Sequence, residues 1–412
     1  MEVVYECCCG LDVHAKTVVA CLIKKGRKEV RTFSTMTDEL LQLTDWLTSA
    51  GCTCVAIEST GVYRKPIFNI LEGTLDVILV NARHIKAVPG RKTDVRDCEW
   101  LADLLRHGLL KASFIPPVEI RELRELTRYR QTLVTEHTAV AIRLQKLLES
   151  ANIKLGQVAT DILGLSGRLM LQALAAGAHD AGHVAELAQG KLKRKKGELR
   201  RVLAGHLAEA QRWVLRELLT RLEELDAALS RVETRIGEEV ERCKDAFVKE
   251  AVTLLDSIPG IGVRGAQTLL AEIGVDMRRF PSAQHLASWA GVCPGNNESA
   301  GKRKSGQTTK GSTYLRTALV EAAWAATRAK DTFLAAKYQR LVKRMNKKKA
   351  LVAVAHTILR IVYHLLSKHV AYTELGSDHV NRQYLERHRH RLVEQLQALG
   401  LKVTIEEISE AA

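Results

Sequence analysis

The chain has 412 residues, 46% of them hydrophobic, and carries 62 Lys plus Arg against 47 Asp plus Glu for a net charge of +15. That composition excludes wholesale disorder, sets a prior of two to four domains and favours a polyanionic partner. No run reaches the roughly 18 apolar residues of a spanning helix, and the opening MEVVYECCCG has acids where a signal peptide would be basic, so a cytoplasmic protein with no membrane partner is expected. The nine cysteines include Cys7, Cys8 and Cys9 in a row, and Cys52 and Cys54 one residue apart, with no C-x-x-C. They read as reduced, partly buried thiols.

The charge is concentrated. Segment 191–201 holds seven basic residues, among them Lys193, Arg194, Lys195 and Lys196, and one acid; 301–316 holds Lys302, Arg303, Lys304, Lys310 and Arg316 with no acid; 338–349 holds six bases with none. Together they carry +17, so the rest of the chain is close to neutral. Each segment alone could be a solvated face, but clustering on this scale favours contact with a phosphate backbone.

In chain order, apolar runs at 3–9, 17–23 and 29–34 predict three strands joined by tight turns. A helix over 38–49, a strand at 53–57, a helix at 63–71, a strand at 76–80 and a helix from Thr93 to Arg106 follow. Three meandering strands and then alternating strand and helix is the order of an RNase H-like (RuvC-like) domain over 1–115. A Rossmann sheet would begin β-α-β with G-x-G-x-x-G, and no such glycine motif follows the first strand. After Pro116 and Pro117 the pattern is helical to about residue 150. A heptad seam, Leu215, Leu218, Leu222, Leu225, Leu229, Val232 and Ile236, marks a second long helix. It fits an intramolecular hairpin and an intersubunit coiled coil equally well, so 116–250 is a helical spacer carrying the first basic run. From 251 to 372 a mostly helical domain is expected, and 373–412 is a charged tail with a helix to about Leu399. Residues 254–273 read as a helix, a Pro259-Gly260-Ile261-Gly262 turn and a second helix. This is the pattern of a helix-hairpin-helix, in which Gly260 and Gly262 would bring backbone N–H groups to a DNA phosphate. The competing reading is an ordinary turn whose glycines permit tight packing.

Asp12 falls just past the first predicted strand, Glu58 ends the fourth, and Asp94 and Asp97 share one face of the helix after the fifth. In an RNase H-like sheet the first and fourth strands are neighbours, so these four carboxylates would converge. Converging carboxylates need a counter-ion, and Mg²⁺ suits oxygen ligands together with substrate phosphate. Glu99 and Asp103 read as surface acids of the same helix.

The segments GLDVHAKT (10–17), AIESTGVYRKPIF (56–68), GRKTDVRDCEWLADLLRHGLL (90–110), DSIPGIGVRGAQTLLAEIG (256–274) and LASWAGVCPGNNESAGKRKSGQTTKGSTYLRTALVEAAW (286–324) closely resemble the DEDD-type insertion-sequence transposases. That family includes Piv-type DNA invertases and bridge-RNA-guided recombinases. The resemblance implies that Asp12, Glu58, Asp94 and Asp97 are catalytic Mg²⁺ ligands. It also implies that the C-terminal domain supplies a nucleophilic serine followed by a K-G-x-x-x-L-R segment, matched by Lys310, Gly311, Leu315 and Arg316. Ser299 fits the nucleophile's place. The family usually has Ser-Gly there, whereas this chain has Ser299-Ala300-Gly301, with Ser305-Gly306 six residues on as the reserve. A transposase or recombinase of DNA is implied, acting through a phosphoserine as a dimer or tetramer, with a structured guide RNA as a further partner. Two other readings remain: a metal-dependent nuclease that activates water, and a non-enzymatic DNA-bridging protein.

Overall fold

A computed structural model of the chain describes residues 2–58, 61–80, 97–295, 297–299 and 302–404. The chain divides into two compact units, Met1–Ile115 and Pro116–Ala412.

The first unit is built on strands β1 (Cys7–Val13), β2 (Thr17–Lys24), β3 (Arg27–Ser34), β4 (Cys54–Glu58) and β5 (Asp76–Val80), ordered β3-β2-β1-β4-β5. β1 and β2 are antiparallel, as are β2 and β3, while β1, β4 and β5 run parallel. Helices α1 (Thr37–Ser49) and α2 (Arg64–Leu71) follow β3 and β4, and the described part of the helix after β5, α3, is Asp97–Arg106. Side chains alternate across the sheet. Cys9, Leu11, Val55 and Ile57 bury with Leu40, Leu43 and Leu47 of α1 and Ile67 and Leu71 of α2, whereas Cys8, Cys54, Ala56 and Val80 bury with Leu101, Ala102 and Leu105 of α3.

One expectation needs correction. The first strand does not occupy 3–9 but 7–13, with Val3 and Val4 exposed, so Asp12 lies inside β1 opposite Val19. Gly10 hid the strand, because it contributes no side chain to an apolar run. Its role is close approach: a Cβ there would stand 2.4 Å from the Cys98 carbonyl oxygen and 2.5 Å from the Ala102 nitrogen of α3.

In the second unit, α4 (Val118–Ser150) and α8 (Glu209–Arg242) pack lengthwise in opposite directions. Gln211 bonds Ser150 at one end and Lys244 pairs with Glu119 at the other. The heptad helix therefore closes a hairpin within the chain. Leu219 is buried rather than Leu218, and Leu229 is only partly covered. Helices α5 (Leu165–Ala175), α6 (Ala181–Glu186) and α7 (Lys196–Val202) fill the connection between the long pair.

The remainder folds from α9 (Phe247–Asp256), α10 (Val263–Ile273), α11 (Ala283–Trp289), α12 (Thr313–Ala326), α13 (Phe333–Val342) and α14 (Lys347–Lys368), followed by α15 (Ser377–Ala398). A two-stranded antiparallel hairpin, β6 (Asn297–Ser299) with β7 (Lys302–Ser305), interrupts the helices. α14 is long and apolar enough to cross a membrane by length and composition, although charged and polar residues interrupt its apolar run. Half of its 18-residue apolar window is buried, with Ala350, Val354, Ile358 and Val362 fully covered, as in a core helix.

Candidate active site

The acids come first. Leu11 of β1 lies opposite Ile57 of β4 in parallel register, so one step further along both strands sets Asp12 beside Glu58. Parallel neighbours at one level point to the same face, with backbones roughly 4.8 Å apart. Glu58 in turn pairs with Val80 of β5. The face they share is the one α3 covers, because Gly10, two residues before Asp12, lies against Cys98 and Ala102. The Cys98 thiol is held above its ordinary pKa first by burial and next by the Asp12 carboxylate, which places Asp12 near the start of α3. Asp97 opens the described helix there, half-buried, with its Oδ1 shielded from solvent.

His14 lies within ion-pair distance of Asp12, Nε2 to Oδ2 at 3.2 Å. Among the described residues no three His, Cys, Asp or Glu side chains are grouped to hold a metal ion. Asp94, the fourth acid of the sequence reading, lies outside the described residues. The donor set is nevertheless chemically suited to a hard divalent cation, because Asp12 and Glu58 offer carboxylate oxygens from adjacent, rigid strand positions. Glu99 and Asp103 are engaged elsewhere: both lie within ion-pair distance of Lys28 on β3, at 3.8 and 2.6 Å.

Sequence reasoning passed over one basic residue here. Arg64 begins α2, six residues after Glu58, and its Nε is buried with no hydrogen-bond partner among the described residues. Burial pulls its guanidinium below the ordinary arginine pKa.

The serine region is organised by backbone. Ser299 ends β6 and pairs with Lys302, the first residue of β7; Ser305 pairs with Asn297 at the opposite end of the ladder. The side chains of Ser299, Lys302, Arg303, Lys304 and Ser305 lie outside what the structure describes. Below the ladder, the Gly295 N–H donates to the Gln307 carbonyl at 2.7 Å and Pro294 bridges Thr308. Gly311 then meets Ala290, where a Cβ would stand 2.2 Å from the carbonyl oxygen. Gly291 has φ +70°, and a Cβ there would be 2.6 Å from the Gly311 nitrogen. Lys310 is exposed before α12, Arg316 is exposed in its first turn, and Leu315 is fully buried beneath them.

The other proposed contacts differ in character. Gly260 has φ +91°, and a Cβ on it would stand 2.3 Å from the Ala322 carbonyl oxygen of α12, so its role in the structure is tight packing. Gly262 is exposed with open space around it and precedes the first turn of α10. Lys193, Arg194 and Lys195 are exposed, whereas Lys196 pairs with Glu186, which Arg200 also reaches at 3.0 Å. These two bases hold the Glu186 carboxyl below its usual range. Lys343, Arg344, Lys347, Lys348 and Lys349 are all exposed around the start of α14. Positive side chains at a helix N-terminus oppose the dipole, so that position gives them no intramolecular stabilisation.

Two family models match the chain, in order. A DEDD transposase model of the IS110 group covers residues 9–153, and one described as Transposase IS116/IS110/IS902 family covers 252–339. Asp12, Glu58 and Asp97 lie in the first match and the hairpin in the second. The transposase for insertion sequence element IS1111A of Coxiella burnetii is 23% identical over 377 residues, covering 88% of this chain and 87% of that protein. An insertion element IS110 protein of Streptomyces coelicolor, described as uncharacterized, is 29% identical over 228 residues, 50% of this chain and 53% of its own length. The pilin gene-inverting protein of Moraxella bovis is 35% identical over 118 residues, 27% of this chain and 35% of its own. With an acid-edged mixed sheet followed by a helical unit bearing the hairpin, the chain belongs to the IS110/IS902 family of DEDD-type transposases, enzymes of DNA strand transfer.

Proposed function

We propose that this transposase cuts and rejoins DNA through a covalent phosphoserine on Ser299, assisted by Mg²⁺ held at Asp12, Glu58, Asp94 and Asp97. The observation that carries the reading is the register of β1 and β4, which sets Asp12 beside Glu58 at one edge of the sheet. The Ser299 hydroxyl attacks the phosphodiester phosphorus, its proton passes to a base, and the displaced strand oxygen is protonated as it leaves. A hydroxyl from a second strand reverses the step, releasing serine and joining the new ends. Bond energy is conserved throughout, so no nucleotide hydrolysis is required. When bound, Mg²⁺ supplies Lewis acidity to the phosphate and eases deprotonation of the attacking hydroxyl.

His14, through its contact with Asp12, orients that carboxylate. Lys302, Arg303, Lys304, Lys310 and Arg316 surround the serine in sequence and offer charge to the phosphorane. Gly262 and the exposed bases at 193–195 and 343–349 contact nucleic-acid backbone, with Gly260 setting the turn. Within this reading a structured RNA guides target choice, the working assembly is a dimer or tetramer, and the protein acts in the cytoplasm.

The test is denaturing electrophoresis of protein incubated with a labelled cognate element end. Adducts should form with Mg²⁺ and vanish in Ser299→Ala and in Asp12→Asn. Strand scission that persists in Ser299→Ala without adducts would show a water-activating nuclease instead. A tight RNA co-purifying with the protein tests the guide.

A further inference from the structure

The second unit contains a polar cluster built around a buried carboxylate. Glu272, near the end of α10, is 1% exposed, yet both of its carboxylate oxygens are engaged. Arg128 of α4 meets it with two parallel bonds, Nε to Oε1 at 2.7 Å and Nη2 to Oε2 at 3.0 Å. Ser312 donates its hydroxyl to Glu272 Oε2 at 2.9 Å. Arg124, one turn before Arg128, donates to the Ala271 and Glu272 carbonyls at 2.8 and 2.7 Å. The Arg128 guanidinium also lies over the Tyr314 ring, 4.6 Å from its centre.

Three elements far apart in sequence therefore meet on one carboxylate. Desolvating such a pair costs several kcal/mol, and apolar replacements are often as stable. Stability alone does not account for the cluster; what it adds is position.

The position it sets is that of the hairpin. Ser312 is the N-cap of α12, accepting from the Leu315 N–H at 3.3 Å while donating to Glu272. Next to it, Gly311 is seated on the Ala290 carbonyl with no room for a Cβ, and Gly291 is seated on Gly311. Four residues earlier, Gln307 accepts from Gly295 at the base of the hairpin. From Glu272 the contacts run through Ser312, Gly311 and Gly291 to the ladder that ends on Ser299. We propose that Glu272, acting through Ser312 and held by Arg128, is the positioning residue of this hairpin. The proposal rests on the reading that the hairpin carries the nucleophile.

The test uses the full-length protein with Ser312→Ala, Ser312→Thr and Glu272→Gln, and reads three quantities. These are the single-turnover strand-cleavage rate at saturating DNA, the DNA Kd and the hydrogen-exchange rate of the Gly295 amide. In Ser312→Ala, cleavage should fall at least tenfold on the order expected for a misplaced reacting group, with Kd within about twofold and Gly295 exchange at least about tenfold faster. Ser312→Thr, which keeps cap and hydroxyl, should restore both, and Glu272→Gln should resemble Ser312→Ala. Cleavage within twofold of the parent, or Gly295 protection unchanged in Ser312→Ala, overturns the proposal. The Gly295 amide reports anchoring without any reaction, so its answer stands apart from that of Ser299→Ala, which tests the nucleophile.

Discussion

The acidic edge of the first unit and the hairpin of the second place their functional groups by different physical means. Asp12 and Glu58 sit on adjacent parallel strands, so their spacing follows from sheet geometry, and α3 is pressed onto that face through Gly10. The hairpin has two short strands of polar residues. Its base is fixed by glycine backbone contacts and, one residue on, by the Ser312 hydroxyl donating to the buried Glu272 carboxylate. A site on a sheet inherits the stability of the whole unit. One hung from a few tethers can lose its geometry while the fold survives, and this contrast sets the order of expected effects.

The largest effect belongs to Gly10→Val. The added side chain must collide with the backbone of α3, and overpacking of this kind costs on the order of 3 kcal/mol. Urea unfolding of the isolated transition of the first unit should show the loss, with cleavage abolished alongside. Gly311→Ala, whose Cβ would stand 2.2 Å from the Ala290 carbonyl oxygen, should lower cleavage by roughly 10- to 100-fold, as for a small misplacement of a reacting group, while the urea midpoint of the second unit falls less than that of the first unit does in Gly10→Val. Equal stability losses in both variants would show that the hairpin is not separately tethered.

Binding effects are smaller. Replacing Lys347, Lys348 and Lys349 by Gln removes three exposed charges. DNA affinity at low salt should fall by about tenfold, and the slope of log K against log salt should flatten by roughly 2 to 3. A slope that does not change would place the DNA elsewhere.

The smallest effect near neutral pH concerns thiols. Burial in the first unit pushes Cys8 up to about 11 and Cys21, Cys52 and Cys54 up to about 12, whereas Cys293, in the segment before the hairpin, is only half-buried. Iodoacetamide at pH 8 should therefore label Cys293 well before those four. Because the folded state keeps these thiols protonated, their contribution to stability is complete below about pH 9 and declines as pH rises towards 12. Urea midpoints measured from pH 8 to 11 should fall, and a quadruple Cys→Ala variant should show a flatter decline.

Much of this molecule is visible in its sequence. Strand and helix periods located β2 to β5, the long helices and the position of Glu58 at the end of β4, and adjacency of the first and fourth strands followed from their order. What escaped was carried by residues with no period. Gly10 broke the apolar run of β1, because close backbone approach needs the absence of a side chain. The hairpin is made of polar residues such as Asn297 and Lys302, and its anchors are Gly291 and Gly311, which look like ordinary turn glycines. Glu272 sits among Leu269, Leu270 and Ile273, and its burial became intelligible only once Arg128, 144 residues away, was seen to meet it. The clue available was an acid on the apolar side of a helix in a chain with arginines at 121, 124 and 128. Leu218 and Leu219 changed places because a long hairpin follows 3.6 residues per turn and drifts from a strict heptad.

Whether Ser299 forms the covalent bond to DNA is decided by locating the modification on the chain. The Mg²⁺-dependent adduct is digested with nuclease and protease, and the peptides are sequenced by mass spectrometry. We predict a nucleotide phosphate on Ser299, absent from Asp12→Asn protein. The same phosphate found on Ser305, or found on no peptide of a protein that cleaves DNA, would contradict it.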